Sequence, residues 1–408
     1  MKNNMTLTFL LITVVLDSAG FGIIMPVLPD LIKELSHTSL SDASIWGGLL
    51  MFSFGIMQFI CGPLIGNLSD AYGRRPVLLL SLAGMVVDFI LMALAPTMIW
   101  LFIGRVLGGI TTATHSTVNA VIADISNDDN RARNFGLIGA GFGIGFILGP
   151  SLGGLLSHWG VRAPFWGAAI VSLANLIFGF IIFKETLLPE NRRKFNFLRA
   201  NPFGALMQLS KNTALIPMAI IFVFYNLAFV VYPSVWSFFT QFQFGWESWL
   251  VGLSLSGFGL CMAISQGLLV KPVIDRFGAR KVVQYGLLLE AIVFGAFAIM
   301  GNPWWLLIIM PISALAAITG PAFSDLTARM VGKDEQGELQ GILSSIMALT
   351  MTFGPLVMTA VFSHYTAENR ATTWAGSPFA ISSICMFIAA LIYLRAQKNV
   401  PKREEVAQ

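Results

Sequence analysis

The chain has 408 residues, of which 56% are hydrophobic and only 11% charged, with 25 Lys and Arg against 21 Asp and Glu for a formal net charge of +4. A charged fraction less than half of the roughly 25% usual in soluble domains excludes a water-soluble globule, and continuous apolar runs, in place of alternation over segments of about ten residues, exclude a β-barrel. The positive balance does not imply nucleic acid, because the basic residues sit in loops between apolar runs.

A helix needs about 20 apolar residues to cross a bilayer, and the chain divides into twelve such spans: 6–34, 43–68, 76–96, 98–125, 131–157 and 163–184, then 213–240, 247–272, 280–300, 302–328, 335–364 and 373–396. The first apolar run, Thr6 to Leu28, is longer than a signal-peptide core, lacks a small-residue cleavage site and carries Asp17, so it is expected to span the membrane. Spans two and three are joined by a short charged turn, Gly66-Asn-Leu-Ser-Asp70-Ala-Tyr-Gly73-Arg74-Arg75. Span three carries Asp88, and span four carries Arg105, a group of threonines, His115 and Asn119. Span five is rich in glycine, with Gly145, Gly149, Pro150, Gly153 and Gly154 in one apolar run. Small residues let helices approach closely and proline removes a backbone donor, so this run reads as a hinge or seal. A phosphate cradle would need a strand before its glycines.

Residues 185–211 form a polar, basic stretch with Pro189 and Pro202, which reads as a linker between a first half at 1–184 and a second at 212–408. An internal repeat supports that division. Asp70, Gly73 and Arg75 recur 205 residues later as Asp275, Gly278 and Arg280; Gly136 recurs as Gly341, and Gly149-Pro150 as Gly354-Pro355, at the same offset. The expected fold is therefore an all-α membrane protein of twelve transmembrane helices in two pseudo-symmetric six-helix halves. An even number of spans puts both termini on one side. The loops of that side hold all the Lys and Arg except Lys33, Arg162 and Arg370 opposite and Arg105 within the membrane. Both termini are thus expected in the cytoplasm. Cys61, Cys261 and Cys385 lie inside apolar segments without ligand-like spacing, so neither disulfide nor metal site is expected.

Ionisable groups inside a membrane are costly and mark function. Asp17 lies about 16 Å into its helix at 1.5 Å per residue. Asp88, Arg105 and Glu290 are the other candidates, and the acids read as proton carriers or partners of a substrate cation. Arginine stays charged, so Arg105 would tune a neighbouring carboxylate, with Asp17 the first choice. The bland alternatives are a carboxylate at the glycines Gly20 and Gly22 for Asp17 and a structural ion pair for Arg105. His115, Gln58, Asn119, Asn226 and Gln266 bring hydrogen-bonding groups into hydrocarbon, as substrate contacts or as interhelical ties. Tyr225, Trp236 and Phe238 offer stacking surface for a flat ligand, or simply fill the core. The four histidines are scattered and neither HExxH nor GxSxG occurs, which argues against a membrane-embedded enzyme and leaves no cofactor to be expected.

The chain resembles the major facilitator superfamily, and within it the drug/proton antiporters with twelve spans. Gly66 to Arg75 looks like the family's loop between helices 2 and 3, Gly104-Arg105-Val-Leu-Gly108-Gly109 like its helix-4 motif, and Gly139 to Gly154 like its helix-5 antiporter motif. The runs starting at Asp17, Arg74 and Phe244 resemble the tetracycline/proton antiporters of Gram-negative bacteria. Two positions depart from them: Met262 stands where those pumps carry histidine, and Glu290 where they carry aspartate. The resemblance implies an inner-membrane antiporter that exchanges protons for an amphiphilic small molecule. A tetracycline-like drug is the first choice, and a metabolite such as a siderophore or lipid-like compound the alternative. Its partners would be that substrate, protons and membrane lipids, with no nucleic acid, and the chain is expected to be monomeric. Asp70, Gly73, Arg74 and Arg75 would act away from the substrate as a conformational latch, with Asp70 pairing across helices near Gly341.

Overall fold

The computed structural model describes residues 2–111, 114–127, 130–195, 201, 203–204, 215–332, 335–368 and 371–396, without the side chains of residues 2–4, 115 and 132. Much of the expected linker, and the basic residues Lys398, Lys402 and Arg403, lie outside these residues. Every regular element among the described residues is helical, as hydrocarbon demands of a chain that must satisfy its backbone groups within each span. Eleven described helices are long and apolar enough to cross a membrane. The remaining expected span, 98–125, is described as α4 (Met98–Thr111) and α5 (Thr114–Ile125), on either side of two residues outside the description.

The first unit that the backbone contacts define comprises residues 1–202 and 245–257. Its helices are α1 (Lys2–Ser36), α2 (Leu40–Tyr72), α3 (Arg74–Leu94), α4, α5, α6 (Arg131–Leu156) and α7 (Ala163–Ile182). Helix α1 runs through Pro26 and Pro29, and the chain leaves it at His37, whose φ is +51°. Ser39 caps α2 by accepting the amide of Asp42 at 3.2 Å. The turn expected across Gly66–Arg75 contracts to one residue: α2 continues to Tyr72, α3 begins at Arg74, and Gly73 reverses the chain with φ +109°. Only glycine takes that conformation without strain, so the charged residues of the motif ride on two helix ends, with one residue of loop between them.

Helix α6 packs along α1. Gly145, Gly149 and Gly153, spaced by four, face the backbone of Val15, Ala19 and Ile23, so a Cβ at any of them would run into α1. On the neighbouring side Gly154 approaches Ser248, where a Cβ would stand 2.9 Å from its carbonyl oxygen. The glycine run thus works by close approach of backbones.

The second unit comprises residues 203–244 and 258–408. Its helices are α8 (Ile216–Phe229), α9 (Val231–Phe244), the later part of α10 (Ser248–Ile264), α11 (Val270–Phe277), α12 (Ala279–Ala298), α13 (Leu306–Ala316), α14 (Thr319–Ala328), α15 (Gln336–Thr366) and α16 (Ser377–Ala396). Between α10 and α11 the chain widens into a π-turn, Ser265–Leu269. Between α11 and α12 it reverses on Gly278 with φ +77°, the counterpart of Gly73 in the sequence repeat. The core is aromatic: Tyr232, Trp236, Phe239, Phe294, Phe297 and Phe379 interlock with centroid separations between 4.9 and 6.4 Å.

Candidate functional site

Asp88 and Arg105 form a buried ion pair in the first unit, the Arg105 guanidinium donating from Nη2 to Oδ2 of Asp88. Sequence reasoning prefers Asp17 as this partner; the pairing with Asp88 corrects it. The physical reason is local. Asp88 sits on the face of α3 that packs against α4, and two glycines of α4 leave it a slot. A Cβ at Gly104 would lie 3.1 Å from Asp88 Oδ1, and one at Gly108 would lie 2.9 Å from its Cγ. The guanidinium carbon also stands 5.2 Å from the centroid of the Phe54 ring, a cation–π contact. Among the described residues Oδ1 of Asp88 and Nε of Arg105 have no hydrogen-bond partner. Asp17 lies half-buried on α1.

Glu290 stands at the middle of α12 in the second unit and is 0% exposed. Its Oε2 accepts from the Ser313 hydroxyl of α13 at 3.5 Å, and Ser313 Oγ is 2.7 Å from the hydroxyl of Tyr232 on α9. Oε1 has no hydrogen-bond partner among the described residues. No basic side chain pairs with this carboxyl among them either. A lone carboxylate in such a place is very costly.

The remaining expected substrate contacts are shared between helices of the two units. Asn226 is buried on α8 and spends its amide on the carbonyl of Phe222, one turn back, at 2.8 Å. Tyr225 is half-buried beside it, its ring 4.8 Å from that of Phe229. Trp236, 1% exposed, is wedged against Phe297 and Phe379, and Phe238 is equally enclosed. Neither aromatic presents a free face in this structure, because the core of the second unit consumes it. Gln58 and Met262 are half-buried on α2 and α10; Asn119 on α5 and Gln266 in the π-turn are exposed. The side chain of His115 lies outside the described residues.

A charged cluster closes one end of the first unit. Arg74 Nη1 meets Asp70 Oδ1 at 2.5 Å and its Nε donates to Asp124 Oδ2 at 3.0 Å. Arg74 also donates to Ser69 Oγ at 3.1 Å. Asp70 thus pairs within its own unit, one turn from its partner. Glu185, just past α7, accepts the amides of Arg74 at 2.8 Å, Arg75 at 3.2 Å, and Thr186 and Leu187 at 3.0 Å each. It thereby satisfies the exposed first amides of α3. A Cβ at Gly73 would come within 2.9 Å of the Glu185 carboxyl carbon. Arg75 reaches the carbonyl of Phe180 at 2.8 Å. Gly341 lies half-buried on α15. Asp124 and Glu185 escape sequence reasoning, since they sit 50 and 111 residues from Arg74. Among the described residues the second copy of the motif shows no such cluster: Ala279 stands where the offset would place a counterpart of Arg74, and Arg329 pairs with Asp325 at 2.7 Å.

Comparison with known proteins adds to this geometry. Residues 10–270 and 218–408 match the Major Facilitator Superfamily. The class C tetracycline resistance protein of Escherichia coli is 36% identical over 395 residues, spanning 97% of this chain and 98% of that protein. The class G tetracycline resistance protein of Vibrio anguillarum is 35% identical over 385 residues, spanning 94% and 96%. Among solved structures, a bacterial homologue of the human lysosomal transporter Spinster superposes with a TM-score of 0.79 over 97% of this chain and 98% of that one, at 16% identity.

Proposed function

Because the chain belongs to the major facilitator superfamily, we propose that it is a proton-coupled antiporter that expels a tetracycline-like drug across the bacterial inner membrane. The observation that carries the substrate class is the 36% identity to a tetracycline resistance protein along 97% of the chain. The basic loops orient both termini toward the cytoplasm under the positive-inside rule. Such a protein works by alternating access, in which one site faces each side of the membrane in turn.

Coupling requires a group that holds either a proton or its share of the substrate interaction, but not both. Glu290 suits that role: it is enclosed and, among the described residues, pairs with no basic side chain. Asp88 suits it less, because Arg105 already neutralises it. The Asp88–Arg105 pair instead fixes α3 against α4, and the arginine supplies a permanent charge deep in the first unit. Asp70, Arg74, Asp124 and Glu185 serve as the conformational latch, holding the ends of α2, α3, α5 and α7 together. Gly145, Gly149, Pro150, Gly153 and Gly154 keep α6 within backbone distance of α1 and let it slide there.

Expression in a host stripped of its own efflux pumps tests this function. The protein raises the tetracycline concentration that stops growth, lowers intracellular drug, and loses both effects on Glu290→Gln while still reaching the membrane. Unchanged drug accumulation on expression of the parent chain contradicts the reading.

A further inference from the structure

Beside Glu290 the second unit holds two hydroxyls, those of Ser313 and Tyr232, to which the transport reading gives no role. Glu290, Ser313 and Tyr232 come from three different helices, α12, α13 and α9, and meet inside an aromatic core. Ser313 is 0% and Tyr232 7% exposed, so water is no ready substitute for either hydroxyl. The other ionisable group facing this point is the phenol of Tyr225 on α8. The basic residues of α12 itself, Arg280 and Lys281, lie nine or more residues away, about 14 Å at 1.5 Å per residue. On the elements packed against α12, Asp325 of α14 is paired with Arg329, Tyr393 of α16 donates to the carbonyl of Arg280, and Lys271, Asp275 and Arg276 of α11 belong to the same far end of α12. Among the described residues Glu290 thus has these hydroxyl contacts and no ion pair.

We infer that Ser313 and Tyr232 are positioning residues for Glu290, a two-hydroxyl chain whose direction reverses with the protonation state of the carboxyl. Each hydroxyl has one proton to donate and can accept in return. With Glu290 ionised, the Ser313 proton turns to Oε2 and the Tyr232 proton turns to Ser313 Oγ, so both donors line up toward the charge. With Glu290 protonated, the acid proton turns to Ser313 Oγ, and Ser313 donates to Tyr232 instead. One arrangement of heavy atoms serves both states, and the protonated carboxyl can release its proton without exchanging its neighbours. The inference rests on the proposal that Glu290 carries the coupled proton, but it concerns what holds that proton, not which drug is exchanged.

Infrared difference spectroscopy on the full chain in lipid, with pH stepped and no drug present, reads the carboxyl directly. A protonated-carboxyl band that disappears in Glu290→Gln belongs to Glu290. In Ser313→Ala that band moves to higher frequency, and its titration midpoint moves toward alkaline pH by about one unit, since a donor to the charged form is lost. Tyr232→Phe shifts the midpoint the same way by less, and Ser313→Thr, which keeps the hydroxyl, titrates like the parent. Parental frequency and midpoint in Ser313→Ala overturn the inference, as does a Ser313→Thr shift equal to that of alanine. Absence of any band sensitive to Glu290→Gln overturns it too. If the parent protein fails to exchange drug for protons while the Ser313→Ala shift is present, the antiport reading falls and the hydroxyl chain stands.

Discussion

Replacing Arg105 by methionine leaves the carboxylate of Asp88, whose side chain is 5% exposed, without its cation in a slot shaped by Gly104 and Gly108. Removing one partner of a buried ion pair costs about 3–5 kcal/mol, because the charge left behind has neither water nor counter-ion. Asp88→Asn creates the mirror problem: the guanidinium keeps its contact with Phe54 but loses its anion. The double variant, Arg105→Met with Asp88→Asn, removes both charges with little change of volume, and so recovers most of the loss from either single change. A double-mutant cycle measured by reversible unfolding of the purified protein in mixed detergent should therefore show a coupling of several kcal/mol, well above the scatter expected for independent sites. Additive losses, with the double variant as unstable as the two singles summed, would refute the claim that the pair is held by mutual charge neutralisation.

Three further outcomes follow from the same geometry. Gly149→Leu drives a side chain into the backbone of α1 at Ala19; overpacking costs about 1–3 kcal/mol, and the variant should insert but lose drug export, whereas parental export would show that the close approach is dispensable. Glu185→Ala removes the acceptor of four amides, comparable to the loss of a helix cap at about 1 kcal/mol, and should speed hydrogen exchange at Arg74 and Arg75; unchanged exchange there would discard the cap. Asp70→Asn and Asp124→Asn each weaken one of the two acids on Arg74 and should slow transport while equilibrium drug binding holds; normal turnover in both variants would remove the latch.

The membrane class, the number of spans and the repeat are legible in the sequence because hydropathy acts locally and glycine positions recur at a fixed offset. Helix ends are less so. The span limits at Leu68 and Pro76 come from reading charge as loop, yet Asp70, Arg74 and Arg75 sit on helix termini, since one glycine suffices to reverse the chain. The ionisable residues of the interior are also visible, because so few occur in hydrocarbon. Their partners are not. Asp88 belongs to Arg105 through a helix packing that spacing does not encode, and sequence alone prefers Asp17. Ser313 and Tyr232 look like ordinary small and aromatic residues of apolar spans until α9, α12 and α13 converge. Trp236 shows the converse: an aromatic residue in a transporter suggests a ligand surface, but a core with this many phenylalanines spends its largest side chains on itself.

Coupled flux tests the central claim most directly. In proteoliposomes loaded with tetracycline and carrying a trapped pH-sensitive dye, drug leaving through the antiporter should acidify the lumen. An imposed gradient, acidic outside, should accelerate that exit, and Glu290→Gln should abolish both the acidification and the acceleration. Drug efflux with no change in lumenal pH, or acidification that persists in Glu290→Gln, would contradict proton exchange through this carboxyl.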